Sequence, residues 1–156
     1  MPVPRCSSCG KSCGPPVSRR PLPSSLGWLA VLVTLCVAVA VGAGAVLHVE
    51  TQQQHRVQAQ MITGGDWQRG KSAIERQGCG SCHIIPGIDG AMGKVGPDLT
   101  HVGQRAALAG SLTNDPEAMV VWLMHPQRLR PGSGMPEQGI GRREAQDMSA
   151  YLYAQD

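Results

Sequence analysis

The chain has 156 residues, of which 3% are aromatic, and phenylalanine is absent. Its formal net charge is +3, but residues 1–25 hold four of the 14 basic residues and none of the 11 acidic ones. The rest of the chain is therefore nearly neutral, so no basic face is expected to bind nucleic acid.

The first segment, residues 1–25, is rich in proline, serine, glycine and cysteine and shows no periodicity. This composition predicts a disordered arm. Its three cysteines, Cys6, Cys9 and Cys13, could hold a metal, but three thiols in a disordered arm do not predict a specific site, and no role is assigned to them.

An uncharged apolar segment follows at residues 26–47. A helix of about 20 residues is long enough to cross a bilayer, so this segment predicts a single transmembrane anchor. The positive arm before it predicts a cytoplasmic N-terminus and places the rest of the chain outside. A cleaved signal peptide is the alternative, because residues 42–45 read GAGA, but the long arm and the full spanning length favour an anchor.

The next segment, residues 48–65, is polar and ends in two glycines, which indicates a linker that could continue the anchor helix. A compact domain is predicted over residues 66–156. It shows helical spacing and turn-forming residues without an alternating strand pattern, so we expect it to be all-α. It is also short of apolar volume, which predicts that a bound group fills its middle.

Helix boundaries in this domain are indicated by their capping residues. Asp66 is suited to cap the first helix, and Asp115, followed by proline, is suited to cap a second that Pro126 stops. Residues 130–139 hold too many glycines and prolines for regular structure. A last helix is predicted from about Arg142 to Ala154.

The sequence CGSCH at residues 79–83 is typical of a c-type haem attachment site. Cys79 and Cys82 can each form a thioether with one vinyl group of a haem, and His83 can then bind the iron axially. A disulfide redox motif also has two cysteines at this spacing, but it usually lies in a βαβ pattern that is absent here. A zinc site would require further ligands.

From this motif onward, residues 66–156 resemble a class I cytochrome c. The resemblance rests on GKSAIERQGCGSCH, on KVGPDLTHVGQR and on the dipeptide MP within a Gly/Pro loop. It is greatest to the cytochrome c domain fused to subunit II of caa3-type cytochrome oxidases. It implies an all-α cytochrome c fold around one haem c, covalently bound through Cys79 and Cys82 and preceded here by a single transmembrane helix. The cupredoxin domain with its dinuclear copper site, which precedes the cytochrome in subunit II, has no counterpart here.

The sixth iron ligand must come from elsewhere in the domain. Six methionines and histidines that follow the motif are candidates: Met92, His101, Met119, Met124, His125 and Met135. Met135 lies in the extended loop, is stiffened by the following proline, and is also the residue that the resemblance selects. His101 and His125 remain as alternatives.

The resemblance also implies three supporting residues. Pro97 is expected to accept a hydrogen bond from the axial histidine through its carbonyl, although it could be an ordinary turn proline. Arg105 is expected near the haem propionates, although it could be a solvated surface arginine. Trp122 is expected either to donate to a propionate or to pack on the haem edge.

These features predict a membrane-anchored electron carrier rather than an enzyme. It would transfer single electrons in a respiratory chain, from a quinol-oxidising complex to a haem–copper terminal oxidase. Its expected location is the bacterial cytoplasmic membrane, with the haem domain on the periplasmic or outer side. The alternatives are a structural or assembly subunit of a respiratory complex and, less favoured, a haem peroxidase.

Overall fold

The computed structural model describes residues 24–155. Most of the predicted arm, including its three cysteines, therefore lies outside the described residues. Its last two residues, Ser24 and Ser25, are described and are helical. Within the described range the helices are α1 (Ser24–Thr63), α2 (Trp67–Arg76), α3 (Pro116–Met124), α4 (Pro126–Leu129) and α5 (Arg142–Tyr153). Short 3-10 turns occupy Cys79–Ser81 and Val102–Gln104.

The chain divides into two compact units, Met1–Gly42 and Ala43–Asp156. In the first unit, the described residues form the apolar beginning of α1, and all of their side chains are exposed. By length and composition, α1 is the one helix in the described part of the chain that could cross a membrane.

In the second unit, the end of α1 packs against the helical domain that follows. Ala59 and Thr63 are buried. The guanidinium of Arg56 lies over the indole ring of Trp67, 4.3 Å from its centroid, a distance at which a cation–π interaction is favourable. The polar segment after the apolar run is therefore helical, and its last turns contact the domain.

Helices α2 and α5 cross at very close range. A Cβ atom on Gly70 would lie 1.9 Å from the backbone oxygen of Asp147, so the crossing requires a glycine at this position. Asp66 caps α2 as predicted, since its side chain accepts a hydrogen bond from the backbone N–H of Arg69. The close approach at Gly70 thus brings the first helix of the domain directly against the last.

The crossing also holds a buried carboxylate. Asp147 is 5% exposed and accepts hydrogen bonds from the backbone N–H of Asp66 and from the guanidinium of Arg69, at 2.7 and 2.9 Å. Burial works against ionisation of Asp147. The bonds from Arg69 and Asp66 outweigh it and hold the pKa of this carboxyl below its usual range.

Helix α3 is capped by Asp115, as predicted, and ends at Met124. Pro126 ends α3 but also begins the short helix α4, which the sequence did not predict. Proline fits the first turn of a helix because its missing N–H has no partner to lose there. Residues 130–139 contain no helix or strand, as predicted.

The expectation of no strands was wrong in one place. Ala107–Leu108 and Leu112–Thr113 form a two-residue antiparallel ladder. Strands of this length are too short to show alternation in the sequence, and a turn between them is enough to pair them. All other regular elements of the domain in the described residues are helices or 3-10 turns, which confirms the predicted fold class.

The core of the second unit lies between α2, α3 and α5. Its largest buried side chains include Ile74, Met119, Met148 and Tyr151. The hydroxyl of Tyr151 donates to the carbonyl of Pro86 at 2.6 Å, and burial raises the pKa of this tyrosine to about 12. Tyr151 therefore ties α5 to the loop that follows the CGSCH motif.

Candidate functional site

A cavity of about 700 Å³ opens within the second unit. This volume lies in the range of pockets that hold cofactors or drug-sized ligands. Its lining comes from the CGSCH motif, residues 95–97, α3, α5 and residues 132–136. The domain therefore has a cavity of the kind predicted from its shortage of apolar residues.

Backbone hydrogen bonds join the motif to residues 96–99. After the 3-10 turn at Cys79–Ser81, the N–H of His83 donates to the carbonyl of Cys79 at 3.0 Å. The N–H of Gly96 donates to the carbonyl of Cys82 at 2.8 Å, and Leu99 donates to Ile84 at the same distance. The motif and the segment that carries Pro97 are thus bound to each other by the main chain.

The orientation of His83 follows from this arrangement. Its Nδ1 lies 2.7 Å from the carbonyl oxygen of Pro97. A carbonyl can only accept, so Nδ1 carries the hydrogen and donates it. The other ring nitrogen, Nε2, then keeps a lone pair with which it can bind a metal.

Gly96 is a site residue that the sequence interpretation missed. A Cβ atom at this position would lie 2.4 Å from Cε1 of His83 and 2.7 Å from Nδ1. The imidazole therefore packs directly on the Gly96 backbone. The sequence alone did not mark this glycine, because the approach of the ring depends on how the fold pairs residues 82–84 with residues 96–99.

Of the six candidate sixth ligands, the cavity lining includes Met119 and Met135. Met119 is 2% exposed and belongs to the core cluster on α3. Met135 is partly buried in the loop after α4 and packs against that cluster. The structure thus places Met135 at the same cavity as His83 and on a segment without regular structure.

The other four candidates are not part of the lining. Met92 is 74% exposed and pairs with Ile84 in an isolated β-bridge. His101 is exposed with φ +51°, and Met124 packs against the core. His125 lies 3.6 Å from a carboxylate oxygen of Glu137.

Among the described residues, the acidic and basic side chains that line the cavity, apart from His83, are two arginines, Arg105 and Arg130. Arg105 donates to the carbonyls of Asp98 and Thr100, so it braces the turn after Pro97 while lining the cavity. Arg130 was missed by the sequence interpretation. It also lines the cavity and donates to the carbonyl of Ala109. Trp122 is half-buried and lines the cavity as well.

The two motif cysteines form no disulfide with each other, and both line the cavity. Burial raises the pKa of the Cys79 thiol. Within residues 24–155, no group of three or more His, Cys, Asp or Glu side chains is arranged to hold a metal ion. The zinc alternative therefore finds no supporting ligands in the described chain.

Residues 67–155, which include the cavity lining, match a known protein family. The family model described as cytochrome c matches residues 67–155, more than half of the chain. The chain belongs to the cytochrome c family. The cytochrome c domain is an electron carrier, and its cofactor is a haem c attached covalently through Cys79 and Cys82.

Two curated relatives match the cytochrome c domain. Cytochrome c oxidase subunit 2 of Alkalihalophilus pseudofirmus is 32% identical over 85 residues, which is 54% of this chain and 24% of that protein. Cytochrome c oxidase subunit 2 of Bacillus sp. (strain PS3) is 32% identical over 65 residues, 40% of this chain and 18% of that protein. The match therefore spans less than a quarter of each relative. No solved structure gives a significant match.

The residues at the cavity suit a haem. Two thiols and an imidazole with its Nε2 lone pair available lie at one cavity. The charged side chains in the same lining are arginines, which complement the negative charge of propionates. Apolar side chains such as Leu99, Leu123 and Leu152 make up much of the remaining lining, as a largely apolar ring requires.

Proposed function

We propose that this protein is a membrane-anchored, monohaem electron carrier of a respiratory chain, with His83 and Met135 as the two axial ligands. The observation that carries the proposal is that one cavity is lined by the CGSCH motif and by Met135. The haem c supplies a one-electron redox centre. An imidazole and a thioether on its two axes would leave no position for substrate or oxygen, so the protein transfers electrons and does not catalyse a substrate reaction.

Each side chain has a separate task in this proposal. Cys79 and Cys82 hold the cofactor covalently, and His83 presents Nε2 because Nδ1 is engaged by the Pro97 carbonyl. That bond also fixes the tautomer and the orientation of the ring. Arg105, Arg130 and Trp122 bind the polar edge of the cofactor. Met135 contributes the thioether, which favours ferrous iron and raises the potential.

The anchor and the partners are inferred from other observations. Helix α1 has the length and composition of a membrane span. Four basic residues and no acidic residue precede it, which favours an N-terminus in the cytoplasm. Both curated relatives are cytochrome c oxidase subunits. A haem–copper terminal oxidase is therefore the proposed acceptor, and a quinol-oxidising complex is the proposed donor.

The ligand assignment is tested by two substitutions of Met135. Met135→Ala should open an axial position, so the ferrous protein should bind carbon monoxide. Met135→His should retain the cofactor and lower its midpoint potential, because two imidazoles support ferric iron better than one imidazole and a thioether. A fall of about 59 mV makes uptake of an electron from the donor tenfold less favourable.

Redox titration, absorption spectra and the rate of reduction by a purified quinol-oxidising complex measure these effects. Met124→Ala is the matched control, because Met124 is outside the cavity lining. Wild-type protein that binds carbon monoxide readily, with a potential that Met135 substitutions leave unchanged, would remove the main support for an electron carrier.

A further inference from the structure

The side chain of Gln127, in the short helix α4, contacts the Met135 loop at several points. Its Nε2 donates to the carbonyls of Ser133 and Met135, both at 2.6 Å. Its Oε1 accepts from the backbone N–H of Gly132 at 3.1 Å. One half-buried amide thus binds the residue proposed as the axial ligand and two of the residues before it.

These partners determine which way the amide points. Two carbonyl oxygens face one end of the side chain, and they can only accept hydrogen bonds. A backbone N–H faces the other end and can only donate. The opposite orientation would leave all three groups without a partner, so the assignment of Nε2 and Oε1 is fixed by the surroundings.

The backbone of Gln127 adds a fourth connection. Its N–H donates to a carboxylate oxygen of Glu137 at 3.0 Å, so the chain is held again just beyond Met135. Ser133 also stabilises the loop from within, because its hydroxyl accepts from the N–H of Met135 at 3.2 Å. Residues 132–137 form no helix or strand, so their conformation is stabilised by these hydrogen bonds rather than by regular structure.

We infer that Gln127 is a positioning residue that holds the Met135 loop closed and thereby keeps the thioether available at the cavity. The inference rests on the proposed ligand role of Met135. Gln127 acts only through the loop. Its hydrogen bonds exist in the closed loop and are lost when the loop opens, so removing them should increase the open population.

Imidazole as an added ligand measures this population in the ferric holoprotein. It can bind only when Met135 has left its position, so its apparent dissociation constant falls as the open fraction rises. Gln127→Glu keeps the size of the side chain but replaces both donors with an acceptor. The loss of two hydrogen bonds should tighten imidazole binding by about tenfold, and the absorption band of methionine-ligated ferric haem should weaken.

Gln127→Leu tests the same loss without adding a charge and should shift imidazole binding in the same direction. The matched controls are Gln68→Glu and Gln68→Leu, because Gln68 is exposed on α2. They should bind imidazole as the wild-type protein does. If Gln127 were merely structural, its variants would lower the unfolding temperature without changing imidazole affinity, and that result would overturn the inference.

Two further measurements keep the outcomes distinct. Wild-type protein that binds imidazole as readily as Met135→Ala would refute the ligand role itself, whereas weak binding by both wild type and Gln127 variants would refute only the role of Gln127. Should the variants fail to fold, hydrogen exchange of the wild-type holoprotein decides. The Gly132 amide should exchange slowly because Gln127 accepts from it, and fast exchange would overturn the inference.

Discussion

Gly96 limits where the His83 ring can lie. The ring atoms pass so close to the Gly96 backbone that any side chain at this position would overlap them. The same edge of the ring is held by the bond from Nδ1 to the Pro97 carbonyl. Gly96 therefore leaves room for the His83 ring in its observed orientation, and the Pro97 carbonyl stabilises that orientation.

Gly96→Ala should displace the imidazole and break its bond to Pro97. The histidine would then be a weaker electron donor, so the midpoint potential should rise. Forcing a methyl group into a packed site should also lower the free energy of unfolding by about 1–3 kcal/mol. Redox titration and urea unfolding measure the two effects.

The control for this substitution is Gly141→Ala, because a Cβ atom there would meet nothing within 4 Å. It should leave the potential unchanged. A Gly96→Ala protein with the potential and stability of this control would mean that the His83 ring does not depend on Gly96 for its orientation.

Individual site residues could be predicted from the sequence where their residue types and spacing are specific to one chemistry. The motif cysteines and His83 stand out because few other chemistries use that spacing. Gly96, Arg130 and Gln127 did not stand out, because their roles depend on which segments the fold brings together. A glutamine after a proline carries no sign of the loop that it contacts five to eight residues later. The ligand role of Met135 itself remains a prediction.

The pairing of α2 with α5 depends on the ionised carboxylate of Asp147. Its bonds to Arg69 and Asp66 join residues far apart in the chain, and Gly70 allows the two backbones to approach. The pKa of Asp147 is lowered in the folded protein. The stabilisation that it provides is therefore present above its ordinary pKa of about 3.9 and is lost as the pH falls through the lower folded value.

Asp147→Asn should consequently be less stable than the wild-type protein at neutral pH. The difference should shrink as the pH falls below about 3.9, because the wild-type carboxyl is protonated first in the unfolded chain and, at lower pH, in the folded protein. Urea unfolding followed by circular dichroism over this pH range measures it. The control is Asp89→Asn, at an exposed position, whose stability should vary with pH as that of the wild-type protein does. A stability difference between Asp147→Asn and wild type that stays constant with pH would contradict the stabilising role of the ionised Asp147 carboxylate.

Elements with strong local signals were predicted well. Asp66 and Asp115 mark two helix starts because their side chains satisfy backbone N–H groups that the helix leaves open. Helix α4 and the ladder at Ala107–Leu108 were not predicted. Both are too short to produce a periodic pattern, and they are stabilised by contacts with the rest of the domain.

For the whole molecule, the charge distribution and α1 together predict sidedness. If the N-terminus is cytoplasmic, the haem domain lies outside, where protease added to intact spheroplasts can reach it. The haem-stained fragment should then be released or degraded under these conditions. Its complete protection, while a periplasmic control protein is digested and a cytoplasmic one is not, would reverse the proposed orientation.

The order of the site residues along the chain has a consequence for biogenesis. Cys79, Cys82, His83 and Pro97 lie within one short continuous segment, whereas the bond between Arg69 and Asp147 closes a separation of 78 residues. Local contacts form early because they close short loops, and distant ones form late. The attachment segment can therefore present its thiols and imidazole to a haem while α5 is still unpaired, and pairing of α2 with α5 would follow.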